Sequence, residues 1–287
     1  MNNKLSRVIL LLLIVLSVIS INACTKNPSP SKETPAVEES LVLATTTSTQ
    51  DSGLLDILIP AFEKEYNTEV KVIAVGSGQA MEMGKKGDAD ALLVHSPAAE
   101  DQFMAEGWGK VRKDVMYNQF LIVGPKADPA GISGMTDAVA ALKKLADTNS
   151  KFISRADKSG THSKELSIWK AAEVTPAGSW YIESGQGMGD TLMMAIEINA
   201  YTLTDEATFL SFKNKASSLH VVVQGDKLLF NPYGAIAVSP EKYPNIRFKA
   251  AEAFVNFISE GEGQAIIHAF GKKKYGKNLF TPVNYRP

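Results

Sequence analysis

The chain has 287 residues, of which 45% are hydrophobic, 8% aromatic and 21% charged, a composition that excludes a disordered, collagen-like or disulfide-scaffold protein. With 30 Lys and Arg against 31 Asp and Glu, the net charge is −1 and no long basic stripe is present, so nucleic acid is not an expected partner. The single cysteine, Cys24, excludes an intrachain disulfide and a zinc site built from several thiolates.

Residues 1–7 carry Lys4 and Arg7 and no acid, and residues 8–21 form an almost unbroken apolar run ahead of Asn22, Ala23 and Cys24. The run is shorter than the roughly 20 residues of a membrane-spanning helix and reads as the apolar core of an export signal. The segment is similar to bacterial lipoprotein signals. That resemblance implies removal of residues 1–23, with Cys24 as the first mature residue and the carrier of a lipid. Residues 24–40 are rich in Pro, Ser, Lys and Glu and almost free of apolar side chains, and read as a flexible tether, because such a segment cannot offset its ordering entropy by burial.

From Leu41 onward, short β-like runs alternate with helix-period segments, the pattern of an α/β protein. Residues 41–44 form a first strand, followed by a hydroxyl-rich turn over 45–52. A helix over 53–67 then places Leu54, Leu55, Leu58, Ala61 and Phe62 on one face. Residues 70–75 form a second strand, ended by Gly76, Ser77 and Gly78, with a helix from Gln79. Residues 91–95 form a third, followed by Pro97 and another helix. Residues 115–125 and 220–230 are β-rich. A strand over 152–155 enters the loop at 156–162 and a helix through Trp169. A glycine-rich turn at 185–190 precedes a helix over 191–200, and Asn231, Pro232, Tyr233 and Gly234 form a loop leading into the apolar run 235–238.

The repeated unit is strand, small-residue loop and helix N-terminus, where unpaired N–H groups and the positive end of the helix dipole favour anions. Thr45, Thr46, Thr47, Ser48 and Thr49 place five successive hydroxyls at the first such junction, more than a simple N-cap needs. Ser77 adds a donor between two glycines. Arg155 presents a planar charged fork, with Ser159, Gly160 and Thr161 at the next helix start; an ion pair with Asp157 or Asp51 is the competing use of Arg155. The turn at 185–190 departs from the dinucleotide fingerprint, since Asp190 stands where its last glycine belongs. An enzyme is not expected: the sequence has neither a G-x-S-x-G elbow nor H-E-x-x-H, and His95, His162, His220 and His268 lack metal-ligand spacing. Lys272, Lys273, Lys274 and Lys277 read as a solvated face.

Taken together, the blocks at 43–55, 74–80, 93–95, 153–155 with 159–162, and 185–189 resemble the tungstate-binding substrate-binding proteins of ABC importers, the TupA family, from about Leu41 to the C-terminus. The resemblance implies an α/β fold of type II periplasmic-binding-protein architecture, two lobes with a ligand cleft between them. The β-rich stretches then serve as crossings, giving lobe 1 as residues 41–116 plus 225–287 and lobe 2 as residues 117–224. Carried over residue by residue, the oxyanion ligands are Thr46, Thr47, Ser48, Ser77, Arg155, Ser159, Gly160 and Thr161, with His95, Gln186, Gly187 and Met188 as further contacts and Thr45 and Thr49 facing away. The implied function is that of an extracytoplasmic, lipid-anchored monomer without a cofactor, passing tungstate to an ABC permease and its ATPase. A donor-only site suits a fully deprotonated tetrahedral dianion. Phosphate stays open as an alternative through Asp51 as proton acceptor, as does molybdate, which has nearly the size and charge of tungstate.

Overall fold

The computed structural model describes residues 39–214 and 218–285. The proposed signal, Cys24 and most of the tether lie outside the described residues. The first strand already begins at Glu39, two residues before the expected start at Leu41.

Strand β1 (Glu39–Thr46) pairs in parallel with β2 (Thr68–Val75) and with β3 (Ala91–Val94). The 17-residue strand β4 (Gly109–Pro125) then joins the two parts of the sheet. Its second part pairs with β7 (Tyr201–Asp205) and β8 (Leu219–Val223), and β5 (Phe152–Ser154) lies between β7 and β6 (Tyr181–Glu183) in parallel. The chain returns through β9 (Phe230–Val238), antiparallel to both β3 and the first part of β4, and ends with the two-residue β10 (Thr281–Pro282) on β4. The principal path through the sheet is β2-β1-β3-β9-β4-β7-β5-β6.

Period-two alternation decides which side chains meet which helices. In the first half of the sheet, Leu41, Leu43, Ala91, Leu93, Ala235 and Ala237 point to one face. There they pack on α2 (Leu55–Tyr66), α9 (Phe248–Ser259) and α10 (Gly261–Ala269). Ala44, Leu92, Val94, Ile236 and Val238 point to the other face, against α3 (Ser77–Lys86) and α4 (Pro97–Ala105). The second half repeats the arrangement. Phe120, Ile122, Phe152, Tyr201 and Leu203 meet α5 (Ala138–Asp147) and α6 (Gly160–Ala171), while Leu121, Val123 and Ile153 meet α7 (Met188–Glu197) and Phe209 of α8 (Glu206–Ser211). Each half is therefore a helix–sheet–helix sandwich, and β4 belongs to both.

Three local expectations are corrected. Residues 47–52 are not an open turn: Thr47–Ser52 is a short helix, α1, whose unfavourable Ser and Thr content is outweighed by the Thr46 cap and tertiary packing. Asn231, Pro232, Tyr233 and Gly234 are not a loop but the start of β9, paired with Asn118, Tyr117, Met116 and Asp114. Gly234 serves packing there, because a Cβ at that position would lie 2.2 Å from Oε2 of Glu100, the carboxylate bound by Arg112 at 2.8 Å. Helices α3 and α7 also start earlier than expected, at Ser77 and Met188, each preceded by a glycine at the cap.

The α2–α9 contact carries much of the first core: Phe254 is fully buried and meets Phe62 edge-on, with centroids 5.2 Å apart. Phe254→Ala is expected to cost about 3–5 kcal/mol through lost burial and the cavity left behind. Urea unfolding should show this as a lower midpoint at unchanged slope.

Candidate functional site

The chain delivers its hydroxyls to one place because β1, β3 and β5 all end there and α1, α3, α6 and α7 begin there. Thr45 lies just before the junction, and its Oγ1 donates to the Leu93 carbonyl at 2.8 Å, so it serves the sheet. Thr46 caps α1: its Oγ1 accepts from the Thr49 N–H at 3.2 Å and lies 2.7 Å from Thr49 Oγ1 and 3.1 Å from Ser48 Oγ. Ser48 Oγ lies 3.4 Å from His95 Nε2. Thr47, half-buried, turns the other way, and its Oγ1 accepts from Arg155 Nη2 at 2.8 Å. Much of the hydroxyl run is thus used within the protein, with Thr47 the member that reaches across to the second half.

Arg155 is only 1% exposed, among the largest buried side chains. Its Nη2 also donates to Asp157 Oδ2 at 2.5 Å and its Nη1 reaches Thr161 Oγ1 at 3.4 Å. The ion pair weighed from sequence therefore exists, but buried rather than on the surface. Asp157 Oδ1 accepts from the Ser159 N–H at 3.1 Å, and Ser159 Oγ caps α6 by accepting from the His162 N–H at 3.2 Å. Both oxygens of Asp157 are engaged. Among the described residues, the buried side-chain atoms without a hydrogen-bond partner are Ser77 Oγ, Arg155 Nε and Asp205 Oδ2. The first two are donors placed within this junction.

Glycines set how closely the two halves approach. A Cβ at Gly76 would lie 3.0 Å from the Asp157 carbonyl, and one at Gly160 would lie 2.8 Å from the His95 carbonyl. The Gly76 main chain thus makes room for the opposite loop. Gly187, at the α7 cap, faces Thr47 at 3.4 Å in the same sense. Its two predicted companions do not join the site. The Gln186 side chain is exposed, and Met188 is fully buried in the apolar cluster with Val123, Ile153 and Leu192.

Burial pushes the His95 imidazole down to about 4, against the opposing hydrogen bond with Asn231, so it is neutral at physiological pH. Burial raises the Asp51 carboxyl, partly offset by the Gly189 N–H that donates to its Oδ2 at 3.2 Å. Asp51 therefore faces the first turn of α7, where its charge matches the helix dipole. Sequence reasoning missed Asn118, Asp205 and Thr208, polar residues set in or beside apolar strands. Their only signal was that polarity, and Asp157 had been weighed only as an ion-pair partner. Among the described residues, no group of three or more His, Cys, Asp or Glu is placed to hold a metal ion, and no helix is long and apolar enough to cross a membrane.

This arrangement has relatives. The PBP superfamily domain matches residues 29–261. The tungstate-binding protein TupA of Peptoclostridium acidaminophilum is 48% identical over 94% of this chain and 95% of that protein. The chain belongs to the TupA family. Among solved structures, the tungstate ABC transporter protein from Geobacter sulfurreducens is 52% identical, with a TM-score of 0.74 over 80% of this chain and 98% of that one. The tungstate-binding protein TupA from Desulfovibrio alaskensis G20 is 44% identical, with a TM-score of 0.70 over 86% of this chain and all of that one. The type II α/β architecture expected from the resemblance is the one these family members share.

Beneath the site, α6 buries Glu165, whose Oε1 accepts from Tyr181 Oη at 2.8 Å and Trp169 Nε1 at 3.0 Å. Burial pushes this carboxyl up to about 7 despite those bonds. The folded state thus keeps a proton that the unfolded chain releases near the ordinary value of 4.5. Its contribution to stability is full at low pH and is lost as pH rises from about 4.5 to about 7. Glu165→Gln, which keeps the acceptor oxygen, should flatten the pH dependence of the urea midpoint across that window.

Proposed function

We propose that this chain is the receptor of an ABC importer that captures the tungstate dianion and delivers it to the permease, without catalysing a reaction. The observation that carries the reading is the pair of buried, unpartnered donors, Ser77 Oγ and Arg155 Nε, at the junction of the two halves. A buried donor left unpaired costs about 1–3 kcal/mol, a penalty that an oxyanion's acceptor oxygens remove. The names borne by the relatives support tungstate as that oxyanion. Thr47, Thr161 and the main-chain N–H groups at the starts of α3 and α6 complete the proposed donor set, with Thr46 and Ser159 holding those helix starts in place as caps.

Phosphate is less well supported as ligand. Hydrogenphosphate carries a proton and needs an acceptor, yet both oxygens of Asp157 are engaged and Asp51 is turned to Gly189. Molybdate shares the charge and shape of tungstate, so it belongs in every binding test.

In this reading the halves meeting at β4 act as lobes, residues 41–116 plus 225–287 and residues 117–224, and ligand favours the closed arrangement because only closure brings Arg155 against Thr47. The permease, with its ATPase, reads that closed form. We further propose that the protein works as a monomer outside the cytoplasm, tethered through a lipid on Cys24.

Thermal unfolding with tungstate, molybdate, sulfate and phosphate added separately tests the assignment. An anion at a hundred times its Kd should add about 2.7 kcal/mol of stability, read as a raised Tm. Tungstate should give the largest shift at a common concentration, and Arg155→Ala should abolish it while leaving a cooperative transition in the anion-free protein. Absence of any anion response in the wild type would overturn the proposal.

A further inference from the structure

Behind the proposed anion site, polar side chains connect residues far apart in sequence. Asn118 on β4 stands directly opposite Asn231 on β9 in the ladder. Asn231 Nδ2 donates to Asn118 Oδ1 at 2.7 Å and to the Tyr233 hydroxyl at 3.1 Å, while Asn231 Oδ1 lies 2.8 Å from His95 Nδ1. On the other side, Asn118 Nδ2 donates to Asp205 Oδ1 at 3.4 Å, and the same oxygen accepts from the Thr208 N–H at 2.9 Å. Thr208 Oγ1 donates to the Ser48 carbonyl at 3.1 Å, and Ser48 Oγ lies 3.4 Å from His95 Nε2. The path leaves Ser48 by its main chain and returns by its side chain. Its members Ser48, His95, Asn118, Asp205, Thr208 and Asn231 are all at most 5% exposed.

The directions of the bonds follow from what each atom can do. The Thr208 N–H can only donate, so Asp205 Oδ1 is an acceptor and the Asn118 amide nitrogen faces it. Asn118 then presents its oxygen to Asn231, whose nitrogen is thereby committed and whose oxygen faces His95. An amide oxygen only accepts, so the neutral imidazole carries its proton on Nδ1. Its Nε2 is left as an acceptor, and the Ser48 hydroxyl donates to it.

We infer that Asn118, Asn231 and Asp205 are positioning residues of the oxyanion site: through a closed ring of hydrogen bonds with His95 in its Nδ1–H tautomer, they fix Ser48 and hence the adjacent Thr47. Ser48 is held at both its carbonyl and its hydroxyl, which leaves the first turn of α1 little freedom to rotate. Thr47, the preceding residue, is then held in the orientation that meets Arg155 on closure, so the orienting cost is met during folding. This inference rests on the proposed anion site, because without it the ring would hold a turn that touches no ligand.

The test has two independent readouts. Protein labelled with 15N-histidine, with His95→Gln used to assign the signal, should show His95 as the neutral Nδ1–H tautomer, the less common one for free imidazoles. Asn231→Leu, which removes the acceptor, should shift His95 toward Nε2–H. It should also weaken tungstate and molybdate binding alike, by about tenfold, the loss of one fixed hydrogen bond. Asn118→Leu should act in the same direction. If Asn231→Leu does not fold, Asn231→Ser, which is smaller and polar, takes its place, and the wild-type tautomer remains decisive by itself. Finding His95 as Nε2–H in the wild type, or anion affinities unchanged in folded variants with an altered tautomer, would overturn the ring's role. A wild type that binds no oxyanion would instead remove the proposed function, while the tautomer would still report on the ring.

Discussion

A guanidinium cannot be taken almost wholly out of water without partners, and burying Arg155 is the constraint to which the rest of this site responds. Asp157 cancels its formal charge at 2.5 Å, and Thr47 and Thr161 supply acceptors from opposite halves of the molecule. Because Asp157 neutralises the cation, attraction for a dianion rests chiefly on oriented N–H and O–H groups. Such donors act only over short distances. In the proposed reading, an anion bound this way is held when the halves meet and released when they separate, which suits a receptor that must give up its cargo.

The fit between the halves in turn depends on backbone approaching backbone. Gly76 sits against the Asp157 carbonyl and Gly160 against the His95 carbonyl at distances where a methyl group would force the loops apart. Asp51 and Ser211 add contacts across the same junction, Asp51 Oδ2 accepting from the Gly189 N–H and Ser211 Oγ donating to the Asp51 carbonyl. The two halves therefore make contacts of their own across the junction, and in the proposed reading the ligand has only to supply the difference between open and closed forms.

Much of this was legible in the sequence, for a physical reason: the continuous apolar runs of strands such as β3 and β9, buried on both faces, and the helical periodicity of α2 follow directly from which faces are buried. Arg155, Ser77 and the hydroxyl run were recognisable because their chemistry concentrates at strand ends. What escaped was set by register. Asn118 and Asn231 lie 113 positions apart and meet only because β4 and β9 pair antiparallel with those two residues opposite each other. The stretch beginning at Asn231 looked like a loop because Pro232 and Gly234 usually mark turns, yet both are accommodated in β9, where the ladder register shifts between Asp114 and Met116. The burial of the Met188 side chain has the converse cause: its neighbours Gly187 and Gly189 face α1, but the first turn of α7 rotates the side chain between them into the core.

In the proposed site, a preference for a deprotonated anion would follow from what the nearby acceptors are already doing. Asp157 is occupied by Arg155 and by a main-chain N–H, Asp51 by the first turn of α7, and the lone pair of His95 Nε2 by Ser48. His95, held down to about 4 by burial, is neutral and adds no charge that would vary near neutral pH. In the proposed site an anion carrying its own proton would have to share an acceptor that already holds a bond. A fully deprotonated tetrahedral anion needs no acceptor at all. In the proposed reading, oriented donors rather than the compensated charge of Arg155 carry the binding, and the neutral His95 keeps the charge of the site constant near neutral pH.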